Sequence, residues 1–404
     1  MRVSIKPGRA VGRVTAPPSK SMAHRLLISA AMADGVSRVS GVSDCEDVRA
    51  TLASISALGV RYAVDGDVVT VWGKHPGDMA PERSLPAGES GSTLRFLLPI
   101  ALISGKTTMF VGSGRLMSRP MGVYEKLCRE RKMAYIADGE SITVCGPMKS
   151  GNYTVVGNVS SQFISGLLFA LPNLEGDSRI KIIPPIESRS YIEMTLAALR
   201  TFGISAEWEN ESTIFVRGGQ RYLASDVTVE GDYSGAAFPD ALNALGGEVA
   251  VLGLDPDSIQ GDRVYKRHYD ALGRGLPTIH ISDCPDLGPI LFAVAAAKSG
   301  GIFSGTERLK IKESDRAAAM AEELRKLGTS LSIYDDKVVV YPAAFRKPSE
   351  AIKGHNDHRI VMAMAILLTL VGGEIEGAEA VKKSYPAFFD DLRALGIEVT
   401  EYDT

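Results

Sequence analysis

One pattern recurs six times along the chain and restricts the fold more than any other feature. A short polar motif carrying Gly or Ser opens an apolar stretch of helical length. A Gly-containing turn and a short strand-like run follow. The copies lie at 19–33 then 35–41, 89–104 then 105–112, 160–171 then 176–183, 232–245 then 246–253, 286–299 then 300–305, and 356–370 then 372–377. Most copies continue into a more polar helical stretch, at 44–58, 119–131, 189–202, 313–327 and 385–395. Alternating strand-like runs come next, such as 68–72, 141–145, 213–217 and 337–341. The fourth copy is the least regular, with its second helix placed somewhere in 262–273. Helices that are apolar nearly all round must be buried on most sides, whereas the second helices bury one face. Six β-α-β-α-β-β units form a repeat architecture, three before about residue 230 and three after. The simplest arrangement is two α/β domains of three units each, with helices inside and sheets outside. A single irregular α/β domain is the alternative.

Composition narrows the class. The 404 residues exceed one ordinary core. A formal net charge of −3 argues against a nucleic-acid partner, so any anion binding must come from local clusters of Lys and Arg. Cys45, Cys128, Cys145 and Cys284 form no CxxC pair. Neither a zinc site nor a disulfide frame is expected, and reduced thiols fit the cytoplasm. The opening MRVSIKPGRAVGRV lacks the apolar core of a signal peptide. The longest apolar run, 360–371, falls short of the about 20 residues that a bilayer requires, so no membrane partner is expected.

Four arginines sit just inside helix starts, in SMAHR at 21–25, GSTLR at 91–95, ESDR at 313–316 and NDHR at 356–359, each read as preceding a buried-type helix. A cation there opposes the helix dipole by about 0.3–1 kcal/mol. If such ends converge, cations about 6 Å apart at an effective dielectric of 20 repel by roughly 3 kcal/mol. An anion among them, held by backbone N–H groups and guanidinium forks, would remove that conflict. For a single Arg, an ion pair to Asp or Glu is the simpler reading. Lys20, the Ser160–Ser161–Gln162 start, Arg119 and Lys383 extend the cationic and polar set, although each alone is a plausible cap or solvated charge. Asp286 and Glu313 lie among the cations. Either is a helix cap or a proton carrier whose pKa the pocket sets.

Other motifs fail on context. Gly105–Lys106–Thr107 follows a helix and starts a strand, the reverse of a phosphate loop. Gly112–Ser113–Gly114 has Met117 where a dinucleotide fingerprint needs Gly. His355 and His358 lack a third clustered ligand, so no metal is expected.

Ten stretches in order resemble the EPSP synthase family, the 3-phosphoshikimate 1-carboxyvinyltransferases among the enolpyruvyl transferases. They are PPSKSMAHR, AGESGSTLRFLLP, SRPM, GNVSSQFISGLLFALP, ESRSYIEMTL, VEGDYSGAAF, PDLGPI, KIKESDRAAAMAEELRKLG, NDHRIVMAMA and KKSYPAFF. The resemblance runs from Lys6 to Gly396 and implies a two-domain inside-out α/β barrel, three repeats per domain. It further implies that residues 1–15 join 232–404 and that 16–231 form the other domain. The hinges would lie near 16–19 and 229–232, and closure would bring the helix N-termini together around substrate.

The implied reaction is transfer of the enolpyruvyl group of phosphoenolpyruvate to the 5-hydroxyl of shikimate 3-phosphate, by addition–elimination with release of phosphate. This is a step toward chorismate and the aromatic amino acids, and it needs no cofactor. By resemblance Lys20, Asp286 and Glu313 are catalytic, with Asp286 accepting the hydroxyl proton and Lys20 and Glu313 handling the methylene proton. Shikimate 3-phosphate would meet Ser21, Arg25, Ser160, Ser161, Ser188 and Lys312, as well as Lys20 and Asp286. Phosphoenolpyruvate would meet Gly91, Arg95, Arg119, Arg316, Arg359 and Lys383, as well as Lys20. Gln162 would lie between the two ligands. Glyphosate, the family's inhibitor, would compete at the donor site. Glu89 and His24 stand where many members have Asn.

Two rival readings remain at this stage. The enolpyruvyl transferase acting on UDP-N-acetylglucosamine usually carries a reactive Cys in the loop corresponding to 112–121, and none is present here. A non-catalytic binder of phosphorylated metabolites fits the arginines, but not the joint presence of Lys20, Asp286 and Glu313. A cytoplasmic monomer is the default expectation.

Overall fold

The computed structural model describes residues 1–79 and 84–402. The chain packs as two compact units, Pro18–Glu230 and Met1–Pro17 with Gly231–Thr404.

In Pro18–Glu230 the core is built on three apolar helices, Lys20–Met32, Gly91–Ile103 and Ser161–Ala170. Each is capped by a serine, Ser19, Ser90 or Ser160, whose hydroxyl accepts a first-turn backbone N–H. The second and third helices each connect two parallel strands, Ser84–Gly88 to Thr107–Gly112 and Asn152–Val156 to Ser178–Ile183. Antiparallel hairpins complete these sheets, Ala134–Ala137 with Ser141–Cys145 and Ala206–Asn210 with Thr213–Val216. The first copy is finished differently. Its strand Ala33–Ser40 takes parallel neighbours from the far end of the unit, Tyr222–Leu223 and Val227–Thr228.

Pro99 lies inside Gly91–Ile103 and has no N–H, so the Arg95 carbonyl four residues back loses its helical donor. The Tyr124 hydroxyl replaces it at 2.7 Å. Gly166 makes room for this contact, because a methyl group there would overlap both the Tyr124 hydroxyl and the Arg95 carbonyl.

Gly231–Thr404 and its N-terminal segment hold the other three core helices, Tyr233–Ala244, Gly288–Ala297 and His358–Val371. One sheet pairs Thr278–His280 with Gly301–Ser304 in parallel and adds the hairpin Leu331–Ile333 and Lys337–Val340. Another pairs Ile352–Lys353 with Gly373–Glu376, and Arg2–Ile5 inserts antiparallel between Gly373–Glu376 and Val399–Tyr402. The fourth copy keeps only the parallel pair Val11–Thr15 and Glu248–Leu252. Its second helix is Tyr265–Leu272, and the next copy's strand begins at Thr278, which leaves no length for a closing hairpin.

One expectation is corrected here. Arg316 opens Arg316–Lys326, an amphipathic second helix, rather than a buried-type helix. Only Arg25, Arg95 and Arg359 sit in core helices. Among the described residues, no helix is long and apolar enough to cross a membrane.

The packing at Gly166 gives a direct test. Gly166→Ala should destabilise the protein by about 1–3 kcal/mol through overpacking, read as a lower urea midpoint with an unchanged slope. An unchanged midpoint would show that the two helices are not in close contact.

Candidate active site

In Pro18–Glu230, Arg25 is buried in the second turn of the first core helix. Its Nε donates to the Thr195 hydroxyl at 2.8 Å, and its Nη atoms donate to the carbonyls of Ser21 at 2.6 Å and Tyr191 at 2.9 Å. The guanidinium also lies 5.1 Å from the Phe96 ring centroid. Every one of these partners is neutral, and burial pulls the Arg25 pKa down to about 10. Hydrogen bonds to a charged donor return about 1.5–3 kcal/mol each, enough to keep the side chain folded in. They leave its charge uncompensated. An anion at about 4 Å and an effective dielectric of 20 would gain roughly 4 kcal/mol per charge.

The start of the second core helix gathers more cations. Arg95 donates to Gln162 Oε1 at 2.7 Å and to the Pro120 carbonyl at 3.1 Å. Gln162 Nε2 in turn donates to Ser92 Oγ at 2.9 Å, which fixes the amide. A Cβ on Gly91 would meet Arg119 Nη1 at 3.0 Å and Arg95 Nη1 at 3.2 Å. Glycine here therefore lets two guanidiniums close on the helix N-terminus. Lys20 Nζ donates to Asp47 Oδ2 at 2.6 Å. Ser188 is buried in the left-handed region with φ 55°, an unusual backbone for serine that marks a constrained position.

Ser160 caps its helix by accepting from the Gln162 backbone, and Ser161 is the helix's first residue. Two family departures also find their places. His24 Nδ1 lies 2.7 Å from Thr51 Oγ1, which continues to Thr93 and Ser90 as a buried hydroxyl chain. Burial holds His24 well below the usual histidine range, so it is a neutral core residue. The Glu89 carboxylate packs over the Gly114 turn.

In the other unit Arg316 is fully buried among carboxylates. Its Nε donates to Asp357 at 2.9 Å, Nη1 to Asp286 at 2.7 Å and Nη2 to Glu313 at 2.8 Å. For this arginine, the ion-pair reading describes the structure. Asp286 also meets Lys312 at 3.2 Å and Arg359 at 3.6 Å. Burial opposes ionisation of Asp286, but Lys312, Arg359 and Arg316 together hold its carboxyl well below the usual range. Burial lowers the Lys312 pKa to about 8 despite Asp286, with Arg316 and Arg308 adding to the fall. Asp286 lies in the turn Pro285–Leu287, just before the core helix at Gly288. Asp357 caps the helix carrying Arg359 by accepting its backbone N–H at 2.9 Å. Lys383 Nζ donates to the Asn356 carbonyl at 2.7 Å.

Each unit thus assembles its own share of the sequence-derived residues. Sequence reasoning passed over Asp47, Thr195 and Asp357 as partners. No local pattern singles out Asp47 or Thr195, and only three-dimensional proximity reveals their contacts. Asp357 stood inside the NDHR motif, where its place immediately before a helix was an available capping signal. Of the two histidines, His355 meets Glu323 at 2.8 Å and groups with Glu322 within ligand distance. Lys326 and Lys353 already neutralise these carboxylates.

The model of the EPSP synthase (3-phosphoshikimate 1-carboxyvinyltransferase) family matches residues 5–276 and 267–392. The chain belongs to the EPSP synthase family. A 3-phosphoshikimate 1-carboxyvinyltransferase of Clostridium kluyveri is 38% identical over 426 residues, covering 99% of this chain and 98% of that protein. One from Clostridium perfringens is 38% identical over 418 residues, with 98% of each covered. A solved EPSP synthase from Acinetobacter baumannii superposes with a TM-score of 0.79 at 26% identity, covering 99% of this chain and all of that one. The chain accordingly has the two-domain inside-out α/β fold of EPSP synthases.

The uncompensated charge of Arg25 separates structural from binding roles. Arg25→Met should leave a folded protein with at most a modest loss of stability, because relief of the buried charge offsets part of the lost hydrogen bonds. It should weaken inorganic phosphate binding, measured calorimetrically, by about tenfold or more. Unchanged phosphate affinity would reject Arg25 as an anion ligand.

Proposed function

We propose that this chain transfers the enolpyruvyl group of phosphoenolpyruvate to the 5-hydroxyl of shikimate 3-phosphate and releases phosphate by C–O cleavage, on the route to chorismate. The observation that carries this reading is the Asp286 carboxylate surrounded by Lys312, Arg316 and Arg359, with Glu313 on the same arginine. The cluster combines heavy anion neutralisation with two carboxylates able to move protons.

Left to its cations, Asp286 is too weak a base to take a hydroxyl proton. An anionic donor on Arg316 and Arg359 shares their charge and raises the basicity of Asp286. Asp286 then accepts the proton of the 5-hydroxyl as its oxygen adds to C2 of the enol. Lys20, whose Nζ donates to Asp47, delivers a proton to C3. The tetrahedral adduct next loses a C3 proton to Glu313, which pairs with Arg316, and phosphate leaves from C2. The enol ether and inorganic phosphate account for all atoms, and no metal or organic cofactor enters.

For the acceptor we assign Ser21, Arg25, Ser160, Ser161, Ser188 and Lys312. For the donor we assign Gly91, Arg95, Arg119, Arg316, Arg359 and Lys383. Gln162, whose amide Arg95 and Ser92 orient, is assigned to both. Glyphosate would compete for the donor residues. The enzyme is assigned to the cytoplasm as a monomer.

Phosphate release that requires both substrates tests the reading, and no phosphate or enolpyruvyl product with both present would sink it. Glu313→Gln preserves a hydrogen-bond acceptor for Arg316, so substrate binding should persist while turnover falls by about 100-fold or more. Near-normal turnover would remove Glu313 from the catalytic set. Lys312 is charged below a pH of about 8 and neutral above it. Acceptor affinity of the free enzyme should therefore fall above that pH, by up to roughly tenfold per pH unit. Lys312→Arg should move this limb upward, and an unmoved limb would assign it to another group.

A further inference from the structure

Arg316 and Glu323 lie seven residues apart on the helix Arg316–Lys326, two turns along one face. Both are buried, and both grip the same short segment, residues 353–357. At the first turn Arg316 holds Asp357. Two turns later the Glu323 carboxylate accepts the backbone N–H of Lys353 at 3.0 Å and the Lys326 ammonium at 2.8 Å, with His355 Nε2 at 2.8 Å. Burial disfavours this charge, but the bonds from His355, Lys326 and Lys353 outweigh it and hold the Glu323 carboxyl below its usual range. An ionised carboxylate only accepts, so His355 Nε2 is the donor.

The gripped segment follows an unusual path. His355 and Asn356 have φ of 50° and 52°, two consecutive non-glycine residues in the left-handed region. Such backbone persists only where its surroundings over-determine it. The result of this path is local and specific. The Asn356 carbonyl points at Lys383 Nζ, 2.7 Å away, and Asp357 lies between Arg316 and the helix start that carries Arg359.

We propose that Glu323 and His355 are positioning residues. By clamping 353–357 in this path they set the places of Lys383, Arg316 and Arg359 and so tune affinity for the enolpyruvyl donor. The inference rests on the assignment of those three cations to the donor.

His355→Gly and His355→Gln separate a clamp from a strained residue. Glycine adopts the left-handed backbone freely but cannot reach Glu323, whereas glutamine offers an N–H at a similar reach. His355→Gly should raise the KM for phosphoenolpyruvate about tenfold, with the KM for shikimate 3-phosphate within about twofold and the melting temperature not lowered. His355→Gln should bring the donor KM back to within about twofold of the parent enzyme. Amide exchange at Asp357, bonded to the Gly354 carbonyl at 2.9 Å, should accelerate in His355→Gly. An unchanged donor KM, equal rises in both KM values with a lower melting temperature, or failure of glutamine to rescue would each overturn the proposal. If the parent enzyme shows no two-substrate turnover, the functional reading fails instead. Amide exchange still decides the clamp in that case, with an unaltered Asp357 rate counting against it.

Discussion

A fully buried guanidinium demands anions around it, and Arg316 has three, from three separate chain segments: Asp286, Glu313 and Asp357. Removing one partner from a buried pair typically costs about 3–5 kcal/mol, because the charge left behind cannot reach water. The turn Pro285–Leu287, the start of Arg316–Lys326 and the cap of His358–Val371 are therefore locked to one another. Asp357 serves twice, as counter-ion and as helix cap, so the start of the helix bearing Arg359 cannot shift without disturbing Arg316.

The unit Pro18–Glu230 follows the opposite logic. Arg25 is equally deep, yet its partners are a hydroxyl and two carbonyls. Its charge is held in place without being cancelled. One unit stores balanced charge, which an anion, on the proposed function, would have to redistribute, changing the basicity of Asp286. The other stores unbalanced charge that an anion completes. On the proposed function, affinity and proton transfer would arise from different electrostatic preparations of the same residue type.

The repeat was legible because helices apolar on all sides and glycine turns leave a strong local signature, and four of the six copies keep a hairpin-completed sheet, while Arg2–Ile5 and Val399–Tyr402 complete the sixth. The shortened fourth copy was not, since the run before Thr278 simply lacks length and has no motif of its own. Arg316 was counted with the buried-type helices because the ESDR motif looks like the start of a core helix, although the repeat pattern had placed 313–327 among the polar second helices. The mixed face after it, from Arg316 to Lys326, was the better guide. The candidate residues themselves sit at helix starts, where sequence is informative. Their supports, Asp47 for Lys20, Thr195 for Arg25 and Glu323 for His355, act across 27, 170 and 32 positions, and no local pattern encodes such distances.

The strand Arg2–Ile5 lies between Gly373–Glu376 and Val399–Tyr402, its two neighbours in the sheet. During synthesis this strand is made long before its partners, which lie at the far end of the same unit. Pro18–Glu230, nested between the two ends of the other unit, has all its strands available while the sixth repeat is still unmade. Domains generally fold as units as they emerge, at about 5–20 residues per second. Arg2–Ile5 thus waits unpaired until the sixth repeat is made, and its short length limits the exposed edge it offers meanwhile.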